Sequence, residues 1–144
     1  MKPREFLNQL RHDEIVTAIR EAEKKTSGEI RVFISRKEFK DPVPAAQEHF
    51  IQMGMEKTRE RNGVLIFVAP RAHKFAVIGD ADVHARCGDE FWTQLAHEMS
   101  GHFRRSEFTA GIVHGVQKAG ELLAKHFPRK PGDTNQLPDE VESD

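Results

Sequence analysis

The feature that most constrains this chain is the run from Val64 to Ala69, in which every side chain is apolar. A strand of this composition is usually covered on both faces, as in the centre of an α/β sandwich. The run follows the polar turn sequence Arg61-Asn62-Gly63, and only residues 70–73 separate it from the next apolar segment. The sequence therefore predicts a sheet built around residues 64–69, with helices packed against both of its faces.

Two further segments complete this sheet. Glu29 to Ile34 is rich in β-branched residues, and Lys74 to Gly79 follows the short connection as a third strand. A helix predicted over residues 43–58 joins the first two strands, and a strand–helix–strand unit normally forms a parallel, right-handed crossover. The short connection makes the third strand antiparallel to the second. We expect a three-layer α/β/α sandwich with a small mixed sheet, made of parallel strands and an antiparallel hairpin strand.

The length of 144 residues suits one domain. We expect residues 1–11 to be an N-terminal segment with a short helix, and residues 12–128 to be the folded domain. From residue 129 to residue 144 the composition turns to Pro, Gly, Asn and acidic residues, which predicts a disordered acidic tail.

Apolar residues spaced by three and four predict one helix before the first strand and two after residue 88. Gly28 is expected to stop the first of these helices. In the last helix, Gly111, Gly115 and Gly120 would be unfavourable in isolation, so they predict close packing of that helix on a neighbour.

Charge and hydropathy argue against several functions. The net charge is −1, which argues against a protein built to hold nucleic acid. The segment 131–144 has five acidic and no basic residues, so residues 1–130 carry 22 basic and 18 acidic residues, a net charge of +4. No stretch approaches the roughly 20 apolar residues that span a bilayer, so no membrane insertion is expected. The single Cys and the polar N-terminus predict a cytoplasmic location.

Three polar corners of the predicted sheet, at residues 27–29, 61–63 and 80–82, converge on one edge, because parallel strands begin together and the hairpin returns there. Asp80 and Asp82 stand two residues apart in an expected loop, a spacing with which loops wrap hard cations such as Ca²⁺ or Mg²⁺. The predicted metal ligands are Asp80, Asp82, Glu29 and Asn62. With Arg61 they form what we term the rim. Asp after a strand and Asn-Gly are also ordinary turn residues, and this alternative stays open.

Other metal motifs are weaker. His97-Glu98 followed by His102 is similar to the HExxH zinc motif, but the second His comes one position late, so the imidazoles point about 140° apart on a helix. His84 and Cys87 lack the second pair of ligands that a four-coordinate site needs. The sequence assigns no catalytic residue.

The order of several short segments resembles the TPM domain family, which includes thylakoid-lumen phosphatase-like proteins of photosystem II repair and many bacterial proteins. The segments are Ala18 to Glu23, Thr26 to Val32, Arg61 to Ile66, Lys74 to Asp80, the helix with Trp92, and Gly111 to Pro128. The resemblance covers residues 12–128 and implies an α/β/α sandwich, a divalent-metal site often discussed as calcium, and an acid-phosphatase activity in the plant branch. Many relatives have a signal peptide and a C-terminal membrane anchor, whereas this chain is expected to be a stand-alone soluble member.

Three functional hypotheses follow. In the first, the domain binds Ca²⁺ or Mg²⁺ at the rim. In the second, the bound metal polarises a phosphoryl oxygen or activates water, and Arg61 contacts the phosphate, so that the protein hydrolyses a phosphomonoester. In the third, the domain is a metal-free scaffold for a protein partner.

Overall fold

The computed structural model describes residues 10–35, 37, 40–55, 62–69, 74–129 and 141–143. Within these ranges the chain forms five helices and four strands: α1 (His12–Glu23), β1 (Glu29–Ile34), α2 (Pro42–Gln52), β2 (Gly63–Ala69), β3 (Lys74–Gly79), α3 (Ala81–Cys87), α4 (Asp89–Arg104), α5 (Phe108–His126) and β4 (Val141–Ser143). The strands form one sheet in the order β3-β2-β1-β4. β1 is parallel to β2, and β3 is antiparallel to β2, so the predicted mixed sheet is confirmed.

One face of the sheet is covered by α1, α4 and α5. Alternate residues of β1 and β2 point to this face, because successive side chains of a strand lie on opposite sides. The strand residues Ile30, Val32, Ile34, Val64, Ile66 and Val68 join helix residues such as Ile15, Ile19, Leu95, Met99, Ile112, Val116 and Leu123 in one buried cluster. This is the larger of the two described hydrophobic clusters.

The opposite face of the sheet packs against α2. Phe33 and Phe67 stack there with parallel rings 5.7 Å apart, and Phe50 packs in the same cluster. Because helices cover both faces, the predicted α/β/α sandwich is confirmed. The cluster on this face is smaller, and Val43 and Ile51 of α2 remain exposed at 39% and 62%.

Close contacts of α5 with its neighbours explain two of its glycines. A Cβ at Gly120 would lie 2.6 Å from the Cβ of Ala22 in α1. At Gly115, a Cβ would lie 2.8 Å from the sulfur of Met99 in α4. Larger side chains would force these helices apart, so the prediction that α5 packs closely on its neighbours is confirmed.

Helices α2 and α3 differ from the sequence prediction. α2 begins at Pro42, with the Asp41 carboxylate accepting from the Val43 amide at 3.0 Å, and it ends at Gln52 rather than near residue 58. α3 was not predicted, since residues 80–82 were expected to be a loop. Most of the N-terminal segment that was expected to contain a short helix, residues 1–9, lies outside the described residues.

The C-terminal segment also differs from the prediction. Residues 141–143 form β4, which pairs in parallel with β1 in the register Val32–Val141 to Ile34–Ser143. Arg129 is likewise fixed, because its guanidinium donates to the Glu23 carbonyl at 2.9 Å. The predicted disorder therefore does not describe these four residues, while residues 130–140 and 144 lie outside the described part of the chain.

Candidate functional site at the strand ends

The strand register assembles the rim. Glu29 pairs with Gly63, so β1 and β2 begin side by side. At the end of β3, the Asp80 amide donates to the Gly63 carbonyl at 2.9 Å. These two contacts place Glu29, Asn62 and Asp80 at one edge of the sheet, where the strand order predicts them.

Asn62 is the most buried of the rim residues that the structure describes, with no exposed surface. Its Nδ2 donates to the Ser27 hydroxyl at 3.1 Å, which ties the segment before β2 to the segment before β1. Its Oδ1 is buried and has no hydrogen-bond donor among the residues that the structure describes. A buried polar atom without a partner costs about 1–3 kcal/mol, so a ligand at this oxygen would be favourable.

Gly28 can lie against the rim because it has no side chain. A Cβ at this position would lie 3.1 Å from the Asn62 carbonyl oxygen and 2.8 Å from Leu123 Cδ1. The prediction that Gly28 stops the first helix is wrong, since α1 ends at Glu23. The glycine allows β1 to begin close to β2 and α5.

Two buried polar residues beside the rim were missed by the sequence interpretation. The Thr26 hydroxyl accepts from the Gly28 amide at 3.0 Å and donates to the Phe127 carbonyl at 2.5 Å. Glu23 accepts from the Ile30 amide at 2.9 Å. Nothing in the local sequence marks Thr26 as buried, because its partner Phe127 follows α5 and is distant in sequence.

The two aspartates of the rim occupy different environments. Asp80 is 5% exposed, and its Oδ1 accepts from the Ala81 amide at 2.7 Å. Asp82 lies in the first turn of α3 and is exposed. The expected loop spacing is therefore wrong, because a helix begins immediately after Asp80 and directs the two residues to different surroundings.

The remaining rim residues are Glu29 and Arg61. Glu29 is buried, at 2% exposure. Arg61 lies outside the described residues. In the described part of the chain, no group of three His, Cys, Asp or Glu side chains is arranged to hold a metal ion. A cation site built from the described rim residues would therefore also use the amide oxygen of Asn62 or backbone carbonyls.

A second polar group joins α4 to α5, and we term its residues Glu98, His102, Glu107 and His114 the histidine surface. His114 Nε2 donates to Glu98 Oε1 at 2.7 Å, and His102 Nδ1 is 2.9 Å from Glu107 Oε1. The two imidazole rings are 5.4 Å apart. His97 is exposed, and His102 and Glu98 each bond to another residue, which agrees with the sequence argument against an HExxH-type site.

Hydrogen bonds shift the acidity of the two glutamates on the histidine surface. The bond from His114, with a second from Gln94, lowers the pKa of Glu98. The bond from His102, with one from Arg105, lowers the pKa of Glu107. Both carboxylates are therefore held in the ionised form. The histidine surface acts as a set of hydrogen-bonded contacts that join α4 to α5 and to the residue before it.

No described helix combines the length and the hydropathy that crossing a membrane requires.

A search of curated proteins finds no match. The NMR structure of BA42 protein from the psychrophilic bacterium Bizionia argentinensis is similar to this chain, with 37% identity and a TM-score of 0.86. The similarity covers 94% of this chain and 96% of that one. The TPM domain family model matches residues 1–122. This match over most of the chain, together with the shared fold, shows that the protein belongs to the TPM domain family.

Proposed function

We propose that this TPM domain binds a divalent cation, Ca²⁺ or Mg²⁺, at the rim, with Glu29, Asn62 and Asp80 as its protein ligands. The observation that carries the proposal is the fully buried Asn62 Oδ1, which has no donor among the described residues. Hard cations take amide and carboxylate oxygens as ligands. A bound cation would give this oxygen the partner that it lacks among the described residues.

The acceptor capacity of the rim is compatible with this role. A carboxylate has about four lone-pair sites, so the bond from the Ala81 amide does not exhaust Asp80 as a ligand. Backbone carbonyls of the strand ends would complete a shell of six or more oxygens. Asp82 is exposed, and we propose that it adds negative charge at the mouth of the site rather than a direct bond.

Cation binding would act on the fold where three strands meet. An ion held by Glu29, Asn62 and Asp80 would join the start of β1, the start of β2 and the end of β3. A ligand that binds only the folded state stabilises it according to the ratio of ligand concentration to Kd. The expected role is therefore a cation-dependent increase in stability at this end of the sheet.

The test is a titration of the protein with CaCl₂ and with MgCl₂, followed by amide NMR. We expect the amides of Glu29, Asn62 and Asp80 to shift in a saturable manner with at least one cation. The Asp80→Asn variant should lose the saturable shifts, whereas Asp13→Asn, an exposed substitution at the distant start of α1, should retain them. Unchanged rim amides at millimolar concentrations of both ions would exclude the site and favour the metal-free scaffold.

Phosphomonoester hydrolysis is the alternative that the family resemblance suggests. It would require the same buried carboxylates to act as metal ligands and as the base that activates water, which one group of acids cannot easily do. For this reason we propose binding rather than catalysis. Turnover of a phosphomonoester by the purified protein, abolished in a folded Asp80→Asn variant and weakened by Arg61→Ala, would favour the hydrolase instead.

A further inference from the structure

The side-chain amide of Asn62 has a described partner at only one of its two ends. Its Nδ2 donates to the Ser27 hydroxyl at 3.1 Å, whereas its Oδ1 is buried with no donor among the described residues. The oxygen and the NH₂ group of an amide share one carbon of a planar group. A residue that holds the NH₂ group of Asn62 therefore also fixes the direction in which Oδ1 points.

Ser27 is itself held by the residue that follows α5. The Ser27 amide donates to the Phe127 carbonyl at 3.0 Å. The Thr26 hydroxyl donates to the same carbonyl at 2.5 Å and accepts from the Gly28 amide at 3.0 Å. Thr26, Ser27 and Phe127 are all buried. The backbone of Ser27 is therefore fixed relative to the end of α5, and its hydroxyl is presented to Asn62 from a rigid position.

Phe127 is fixed in turn from two directions. Its amide donates to the Leu123 carbonyl in the last turn of α5 at 2.6 Å, and its side chain is part of the larger hydrophobic cluster. The Arg86 guanidinium, on α3, lies 4.7 Å from the centre of the Phe127 ring. Since α3 begins directly after Asp80, the helix that follows one rim residue contacts the residue that anchors Ser27. The support of the rim thus extends to the ends of α3 and α5.

Support of this kind matters most for an amide ligand. The last torsion of an Asn side chain has only broad preferences, so an unsupported amide can turn. After half a rotation Asn62 would present its NH₂ group, which is a donor and cannot bind a cation. In metal sites, partners that orient a ligand without touching the ion typically contribute about 10–100-fold to the affinity.

We propose that Ser27 is a positioning residue for the cation site at the rim, and that it holds the NH₂ group of Asn62 so that Oδ1 faces the ion. This inference rests on the proposed cation binding and adds a residue outside the ligand set. Asn62 contacts the ion, and Ser27 acts through Asn62. The hydroxyl of Ser27 can accept from the amide because it has two lone pairs, whereas alanine at this position has no acceptor.

The first test measures the affinity for CaCl₂ and for MgCl₂ by calorimetry. Ser27→Ala should bind about 10–100-fold more weakly than the wild type, and Ser27→Thr, which keeps the hydroxyl, should restore most of the affinity. Ser35→Ala is the matched control, because Ser35 is a buried serine at the other end of β1 whose hydroxyl accepts from the Lys37 amide at 3.2 Å. Its affinity should equal that of the wild type.

The outcomes separate this inference from the proposed function. Equal affinities of Ser27→Ala and the wild type, or an equal loss in Ser35→Ala, would overturn the role of Ser27 and leave the cation site in place. A wild type that binds neither cation would overturn the cation site and the role of Ser27 together.

A double variant distinguishes positioning from direct ligation. Because Ser27 acts through Asn62, adding Ser27→Ala to the Asn62→Ala variant should change the remaining affinity by less than about twofold. A further loss of about tenfold in the double variant would identify the Ser27 hydroxyl as a ligand of the ion. That result would overturn its assignment as a positioning residue.

The wild-type protein supplies a test that needs no variant. In the absence of any cation, the NH₂ protons of Asn62 should show nuclear Overhauser contacts with the β-protons of Ser27. These contacts should persist at saturating Ca²⁺ or Mg²⁺, since the ion binds the other end of the amide. An NH₂ group that lacks the contacts in the cation-free protein, or that loses them when the cation binds, would overturn the proposal.

Discussion

The rim and the histidine surface use similar residue types in opposite ways. At the rim, Glu29 and Asp80 are 2% and 5% exposed and lie at the ends of buried strands. On the histidine surface, the side chain of Glu98 is 32% exposed and that of Glu107 is 47% exposed, and each pairs with a histidine across the α4–α5 connection. Burying a carboxylate at the rim costs free energy, whereas a carboxylate on the histidine surface keeps its contact with water and costs little.

This difference favours the rim over the histidine surface as a candidate functional site. The histidine surface contains the more familiar sequence pattern, yet its side chains satisfy one another within reach of water. The rim has an ordinary turn sequence, yet the fold buries an amide oxygen there without a described donor. Burial without a partner is the stronger indication of a ligand, because the folded chain alone gains nothing from it.

The Asn62→Asp variant gives the strictest test of the difference between the rim and the histidine surface. This change places a carboxylate at a position with no exposed surface, beside two buried acids. An uncompensated buried charge costs about 3–5 kcal/mol, so urea unfolding at neutral pH in the presence of a chelator should show a loss of that size. Millimolar Ca²⁺ or Mg²⁺ should restore part of it. A loss no greater than that of Asp82→Asn would show that the rim is not a closed polar site.

Gly28→Ala should have the next largest effect. Its Cβ would lie 3.1 Å from the Asn62 carbonyl oxygen, so β1 and β2 must separate where they begin. Crowding of this kind costs about 1–3 kcal/mol in urea unfolding.

Gly101→Ala is the matched control on α4, the helix that carries Glu98 and His102. Only the end of the Arg105 side chain, at 3.5 Å, would meet the new methyl group. Alanine favours a helix interior over glycine by about 1 kcal/mol, so this variant should be more stable than the wild type. Equal losses in both variants would remove the distinction between the two regions.

Loss of the Glu98–His114 hydrogen bond on the histidine surface should have a smaller effect. Glu98→Gln and His114→Gln each remove one partner of a bond that lies partly in water, where such pairs contribute little. Each single variant should be less destabilised than Gly28→Ala, and a double-mutant cycle should give a small favourable coupling. A coupling as large as the Gly28→Ala effect would mean that this pair is as important to the fold as the rim.

The smallest expected effect is a pH dependence of the stability that Glu98 contributes on the histidine surface. The hydrogen bond from His114 lowers the pKa of Glu98 below its ordinary value of 4.5 in the folded protein. A lowered folded pKa contributes stability above the unfolded pKa, and this contribution is lost as the pH falls through the folded pKa. The stability difference between the wild type and Glu98→Gln should therefore shrink between about pH 6 and about pH 3. A difference that grows over this range would contradict the assignment.

The strands and the rim could largely be predicted from the sequence. The uninterrupted apolar run from Val64 to Ala69 predicts a strand covered on both faces, and the short connection after it leaves few alternatives to a hairpin. From these elements follows the meeting of Glu29, Asn62 and Asp80, because strand direction decides which ends share an edge. The exposure of Asp82 could not be predicted, since a short helix and a loop have similar local sequences.

The sequence by itself determined most of the helices and strands, the apolar side of each, and the family. It could do so because the spacing of apolar residues is a local property of the chain. The tertiary structure decided which polar residues are buried, because burial depends on segments distant in sequence. Thr26 is covered by the end of α5, Gly28 is confined by Leu123, and the edge of β1 is covered by residues more than a hundred positions later. The burial of the rim residues and the covering of the β1 edge are therefore decided by packing, and no local sequence pattern reveals them.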